Sequence, residues 1–387
     1  MRSVRDIPIL EDIPVLARVT LNAPVENGKV QDTFRLKKAL PTIAYLMQRR
    51  ARVILASHIT GESHKAGVGT ETLRPMWEAM QEYIPGIQFC PVSTGPEARD
   101  AVRKLQGGEV LMLENLRRDP GEMKNDRAFA AKLAELADVF VQDSFDNCHR
   151  EHASMVGVPE LLPSYAGLLV EEEVSELGKA LHPKSPSVAI IGGAKFATKE
   201  AVLKRLLAVY DRVYVGGALG NDFAKLRGYE VGRSLVSNAA TTELAALLDN
   251  PKLMLSTDVC VAGSDMRPEA ARVAAVTDVH ADESILDDGP ASTASIATLA
   301  SKAKSILWNG PLGNYERGFT EGTEAVARAV AASSAHSVIG GGDTIAAVEK
   351  LGLNSRFSFI STGGGAMLDF LAKGTLPGLR ALDTRNQ

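Results

Sequence analysis

The stretch SVAIIGGAKFATKEAVLKRLLAVYDRVYVGG, residues 187–217, carries a complete strand–helix–strand signature. An apolar run (VAII) ends in a glycine pair, TKEAVLKRLLAVY spaces its apolar residues at helical intervals, and RVYV ends in a second glycine pair. A strand that is apolar on both faces belongs to a sheet covered by helices on both sides, and such sheets are parallel. The same alternation extends in both directions. Downstream, LMLSTDV (253–259), ILWNG (306–310), HSVIGGG (336–342) and FSFIST (357–362) read as strands; upstream, VLARVTLNA (15–23), RVILAS (52–57), IQFCPV (87–92), EVLMLEN (109–115) and DVFVQDSF (138–145) do. Helices fit between them: Phe34, Ala39, Leu40, Ile43, Leu46 and Met47 form one stripe, and NDRAFAAKLAELA (125–137) starts with Asn125 as the expected N-cap. The helix AGLLVEEEVSELGKALH (166–182) precedes a proline-marked break, HPKSPS (182–187). The pattern predicts an α/β chain of two doubly wound domains with mainly parallel sheets, 1–165 and 183–375, joined by the helix 166–182.

Length and composition agree. At ~150 residues per domain, 387 residues make two or three domains. Hydrophobic residues at 45% and charged residues at 23% exclude disordered, collagen-like and coiled-coil chains. With 43 Lys plus Arg against 47 Asp plus Glu, no global field attracts nucleic acid or an anionic membrane, so any anion site is local. No apolar stretch reaches the ~20 residues of a membrane span, and MRSVRDIPILEDIP is broken by charges and prolines where a signal peptide needs an apolar run, so the expected compartment is the cytoplasm. Cys90, Cys148 and Cys260 are odd in number and lack C-x-x-C spacing, which supports neither a disulfide framework nor a zinc site.

Glycines cluster at four strand ends: Gly192–Gly193, Gly216–Gly217, Gly340–Gly342 and Gly363–Gly365. One cluster alone is a tight turn or a helix cap; four on one sheet edge, with helix N-termini, suit a nucleotide's phosphates. There is no G-x-x-x-x-G-K-[ST], and no G-x-G-x-x-G followed by a spaced acid, so neither a P-loop nor a nicotinamide site is favoured. Beside the glycines stand Lys195 and Lys199, which supply point charge to phosphate, and Asp343 and Thr344, where an acid would hold magnesium. Solvated helix faces and an N-cap are the plain alternative. The first half offers candidate cations, Arg35, His58, Arg117, His149 and Arg150, near predicted strand ends, against the alternative of scattered surface charge. His149 and His152 at a spacing of three would make a metal pair, but no third ligand stands near.

These residues resemble the phosphoglycerate kinase family over nearly the whole chain. The resemblance is carried by RVTLNAPV (18–25), FRLKKALPTI (34–43), Ser57–His58, LENLR (113–117), CHREHASMVGV (148–158), IIGGAKFATK (190–199), WNGPLGNYE (308–316), IGGGDT (339–344) and STGGGAMLD (361–369). It implies two Rossmann-like lobes facing across a cleft with hinge closure, and reversible phosphoryl transfer between 1,3-bisphosphoglycerate and ADP, giving 3-phosphoglycerate and ATP, with Mg2+ and no nucleic-acid or membrane partner, by a monomer. Carried over by position, Thr20, Leu21, Asn22, Arg35, His58, Arg117 and Arg150 would bind the triose; Lys199, Glu316, Gly340, Gly341, Gly342, Asp343 and Thr344 the nucleotide, with Asp343 at the metal; and Arg35, Lys195, Lys199 and Gly364 would act on the transferred group. LPGLRALDTRNQ (376–387) would return to the first lobe.

The triose half departs from the family pattern. Thr20 replaces the usual Asp of R-V-D-[FL]-N, removing a carboxylate that would accept the substrate hydroxyl; SHITGES (57–63) lacks the usual arginine; Arg118 replaces an aromatic; and QDSFD (142–146) stands for N-D-A-F-G. Two other readings therefore stay open: a nucleotide-binding paralogue with altered or lost triose activity, acting in regulation or interaction, and a kinase for another carboxylate. A dehydrogenase ranks last.

Overall fold

Pro14–Val19 (β1) is buried along its whole length, as suits a strand in the middle of a covered sheet. The computed structural model describes residues 1–60, 71–194, 199–237 and 241–383. Around β1, the strands Arg52–Ala56 (β2), Gln88–Cys90 (β3), Val110–Leu113 (β4), Val139–Asp143 (β5) and Ser164–Ala166 (β6) form one parallel sheet in the order β3-β4-β2-β1-β5-β6. Val15, Ala17 and Val19 alternate onto one face and pack with Leu36, Ile43 and Leu46 of the helix Phe34–Gln48. The order in which successive strands are laid down reverses at β1, whose neighbours β2 and β5 both run parallel to it. Their carboxyl ends are where an open α/β sheet binds its ligand.

A second parallel sheet contains Ser187–Ile191 (β7), Arg212–Val215 (β8) and Leu253–Leu255 (β9). A separate antiparallel sheet of Asp258–Ala262 (β10), Arg272–Ala275 (β11) and Ser284–Asp288 (β12) follows. Ser305–Asn309 (β13), His336–Gly340 (β14) and Phe359–Ile360 (β15) complete the parallel one in the order β9-β8-β7-β13-β14-β15. The single strand read from LMLSTDV is thus two. Asp258 explains the break: its carboxylate takes the amides of Ala291 (2.9 Å) and Ser292 (2.7 Å) at the start of the helix Pro290–Ala300, and Ser292 Oγ takes the Thr257 amide at 2.9 Å. Those bonds pull the chain out of the parallel sheet. The helix expected from Asn125 runs Arg127–Ala134, and its N-cap is Asp126, whose Oδ1 accepts from Phe129 N at 2.8 Å; Asn125 sits in a turn at φ 51°.

The chain divides into Met1–Ser175 with Thr375–Gln387, and Glu176–Gly374. The division falls inside the helix Leu168–Leu181. Its first turn belongs to unit 1, where Leu168 N donates to Thr42 Oγ1 (2.9 Å) and Leu169 N to Asp143 Oδ1 (3.0 Å). Its last turn belongs to unit 2, where Ala180 O accepts from the Tyr210 hydroxyl at 2.8 Å. The segment after Thr375 lies on unit 1: Gly378 N donates to Cys148 O (2.9 Å), and Asp383 pairs with the Met1 amino group at 3.2 Å. Among the described residues no helix is long and apolar enough to cross a membrane.

Candidate active site

Arg18 lies within β1 and is fully buried, so its guanidinium must find partners inside the protein. Nε donates to Ser154 Oγ (3.0 Å), Nη1 to Val19 O (2.8 Å), and Nη2 meets His58 Nδ1 at 2.8 Å. Ser154 in turn holds the buried Glu122: its amide donates to Oε2 at 2.9 Å and its hydroxyl to Oε1. Arg18 is therefore a frame residue, linked to its counter-charge through a serine.

Around this frame the positive charge is crowded. Arg117 follows β4 in the short turn Leu116–Arg118 and is 4% exposed, yet its Nε and Nη2 are buried with no hydrogen-bond partner among the described residues. Burial, with Arg150 and Arg18 nearby, lowers its pKa to about 10. An unsatisfied buried donor costs about 1–3 kcal/mol, more for a charged group, so this arrangement persists only if something else needs it. His58 was expected as a cation. Burial and the charges of Arg18, Arg117 and Arg150 hold its pKa well below the usual value, so it is neutral. With Nδ1 facing the Arg18 donor, its remaining N–H is on Nε2. His152 is likewise depressed, to about 3, by burial and then by Arg117 and Arg150. Arg150 is exposed, with Nε 3.3 Å from His149 Nε2. No group of three or more metal-ligating side chains occurs among the described residues, so the His149–His152 pair gains no third ligand.

The remaining first-half candidates meet nearby. Arg35, at the start of Phe34–Gln48, donates from Nη1 to Asn22 O at 2.7 Å, and Asn22 Oδ1 accepts from Thr60 N at 3.4 Å. Leu21 does not present its side chain: it is fully buried in the apolar core, and its amide is taken by Ser57 Oγ at 3.1 Å. Thr20 is buried, and its hydroxyl donates to Asp146 Oδ1 at 2.6 Å and lies 3.0 Å from Ser144 Oγ. The carboxylate that position 20 lacks therefore stands one hydrogen bond away, on Asp146. Sequence reasoning passed over Arg18, Glu122 and Asp146; a charge inside an otherwise apolar strand was the available signal for the first.

In unit 2 the strand ends form a cavity of about 510 Å3, lined by Gly193, Gly217, Leu286, Pro311, Leu312, Gly313, Glu316 and Asp343 among others. Its walls combine glycine backbone and apolar side chains with the carboxylates of Asp287, Glu316 and Asp343 and the guanidinium of Arg233. Lys199 precedes the helix Glu200–Val209 and folds back so that Nζ donates to Gly192 O. Gly193 itself sits at φ 86°, in the left-handed region that favours glycine. Burial lowers the Lys199 pKa to about 8, opposed by the charge of Asp343. Asp343 is exposed in the first turn of Gly342–Lys350 and takes no hydrogen bond from a described residue; Gly341 precedes that helix, as Gly364 precedes Gly365–Lys373. Two candidates are structural by geometry. Gly340 leaves room for Met367, whose Sδ would lie 2.3 Å from a Cβ there, and Thr344 is fully buried with Oγ1 accepting from Gly310 N at 3.0 Å. Lys195 and the end of the SHITGES loop lie outside the described residues.

Known proteins with this pattern are consistent from end to end. The family model described as phosphoglycerate kinase matches residues 4–374. The phosphoglycerate kinase of Thermomicrobium roseum is 42% identical over 394 residues, covering 99% of each chain, and that of Rubrobacter xylanophilus is 44% identical over 391, covering 100% of this chain and 99% of its own. Among solved structures, phosphoglycerate kinase from Coxiella burnetii superposes with a TM-score of 0.85 at 36% identity, over 100% of this chain and 99% of its own. The enzyme from Pyrococcus horikoshii gives 0.87 at 30%, over 99% and 98%. With a full-length match in sequence and fold, the chain belongs to the phosphoglycerate kinase family and is a glycolytic phosphotransferase whose acceptor is a carboxyl group.

Proposed function

We propose that unit 1 binds the phosphoglycerate through Arg117, Arg150, Arg35, Asn22 and the neutral His58, and that unit 2 binds the nucleotide with Mg2+ in the cavity beside Lys199 and Asp343. The observation that carries the first half is Arg117, a buried guanidinium with two idle donors amid like charge. A dianionic phosphate or a carboxylate satisfies such a fork bidentately and relieves the repulsion from Arg150 and Arg18. Supporting the second half is a cavity of backbone and apolar walls flanked by a lysine and a free carboxylate. The apolar walls suit a base and the amides suit phosphate oxygens.

Asp343 fits Mg2+ in donor type: it is exposed, unbonded among described residues, and one carboxylate plus nucleotide phosphates is the usual protein share of a magnesium site. Bound there, the ion would neutralise phosphate charge. In the ATP-consuming direction the nucleophile is the substrate carboxylate, ionised at neutral pH, so the protein needs no general base. Its task is alignment and charge neutralisation on the transferring group. Lys199 and the helix terminus led by Gly364 would face that charge from the nucleotide side, and Arg35 from the acid side. A glycolytic enzyme of this kind belongs in the cytoplasm.

Coupled turnover of 3-phosphoglycerate with Mg-ATP, compared with Arg35→Ala and Lys199→Ala, tests the reading. Both variants lose turnover; Lys199→Ala also weakens Mg-ATP binding, while Arg35→Ala leaves it intact. Full turnover in either variant contradicts the assignment.

A further inference from the structure

Among the described residues, Asp146 is the one acid of the unit 1 cluster with an oxygen to offer. It follows β5 in the turn Phe145–Asn147 and is only partly buried. Its Oδ1 receives both the Thr20 hydroxyl at 2.6 Å and the Ser144 hydroxyl at 2.7 Å, while Oδ2 takes no hydrogen bond from a described residue. Glu122, the other acid near these cations, is fully buried with both oxygens held by Ser154. Two hydroxyls on one oxygen fix the carboxylate plane and leave the second oxygen pointing elsewhere, the geometry of a positioned acceptor.

An acid among cations weakens the field for an anionic ligand, so it belongs in such a site only if the ligand carries a donor. Phosphoglycerate carries one, the hydroxyl on the carbon beside its carboxylate. We infer that Asp146 Oδ2 accepts the substrate hydroxyl, with Thr20 and Ser144 as positioning residues, so that this site selects a hydroxy acid over the same phosphorylated acid without the hydroxyl. The inference rests on unit 1 holding the phosphoglycerate. It replaces the carboxylate missing at position 20 with one reaching the same place from the end of the adjacent strand β5.

The test is a protein–ligand cycle by calorimetric titration: wild type and Asp146→Asn, each with 3-phosphoglycerate and with 3-phosphonooxypropanoate, which lacks the hydroxyl. One hydrogen bond to a charged group is worth on the order of ten- to a hundredfold. Wild type should prefer 3-phosphoglycerate by about that factor. Asp146→Asn should lose most of the preference by weakening 3-phosphoglycerate alone, its unchanged affinity for the deoxy compound showing that the site is still folded. Asp146→Gly combined with Thr20→Asp should recover the preference. If Asp146→Asn weakens both ligands equally, or neither, the inference is wrong while the reading of unit 1 stands. If wild type binds neither ligand, both fall.

Discussion

At the strand ends of unit 1, recognition is written in long charged side chains; at those of unit 2 it is written in bare backbone. Burial, reinforced by the crowded charges of Arg18, Arg117 and Arg150, keeps His58 and His152 neutral, and among the described residues one guanidinium is left with idle buried donors. The cavity of unit 2 shows glycine backbone and apolar walls, with one arginine, Arg233, at its lining and Lys199 folded onto Gly192 beside it. Under the proposed function the difference follows from the ligands. A short acid with charge at both ends is held by forks of fixed geometry, whereas a polyphosphate is a row of oxygens that successive amides and a helix terminus can follow.

The sharpest break between the units comes from Arg117→Met. Filling the volume without the charge removes two buried unsatisfied donors, so the free protein gains stability while affinity for 3-phosphoglycerate falls on the order of a hundredfold, as for a charge-assisted bond lost from a dry site. Melting curves without ligand and titrations with each substrate check both signs, and Mg-ADP affinity stays unchanged. The counterpart in unit 2 is Gly310→Ala. Gly310 has φ 97°, and a Cβ there would lie 2.5 Å from Gly192 O, so the turn has to move, at a cost of about 1–3 kcal/mol. Here Mg-ADP binding weakens and 3-phosphoglycerate binding does not.

A pH series sharpens the contrast further. The Lys199 pKa is about 8 in the folded protein against an ordinary 10.5. Between those values the unfolded chain holds a proton that the folded one has released, so this group's contribution to stability rises with pH across that window. Affinity for Mg-ADP falls over the same rise, because the charge facing the phosphates is lost. Asp343→Asn removes the charge that holds the proton on Lys199 and moves its titration lower still, which side-chain NMR reads directly. The smallest effect is Thr344→Val, which leaves the Gly310 amide without its acceptor and costs about 1–3 kcal/mol of unit 2 stability, seen as a lower Tm.

How much of this was legible beforehand differs along the chain. β1, β2, β7 and β13 were plain because burial on both faces leaves continuous apolar runs. The antiparallel sheet over 258–288 was not: two of its three strands are partly exposed, and the split at Ser256 depends on Asp258 capping a helix more than 30 residues later. In the site, Arg35 and Arg117 could be named from the motifs, but whether His58 is charged depends on its burial and then on three arginines, all brought about only by folding. Thr344 stood in the IGGGDT motif, yet its hydroxyl is turned inward to Gly310. Asp146 was hidden because its meaning depends on Thr20, 126 positions away.

The central claim is that the two units divide the work, side-chain cations for the acid and backbone turns for the nucleotide. Backbone amide mapping by NMR on the full chain, with each ligand added alone, tests it most directly. The account predicts that 3-phosphoglycerate shifts Asn22, Arg117 and Asp146 and leaves the unit 2 turns at rest, while Mg-ADP shifts Gly193, Gly217, Gly313 and Gly341 and leaves those unit 1 residues at rest. Both ligands shifting the same set, or 3-phosphoglycerate leaving Arg117 unmoved, would contradict it.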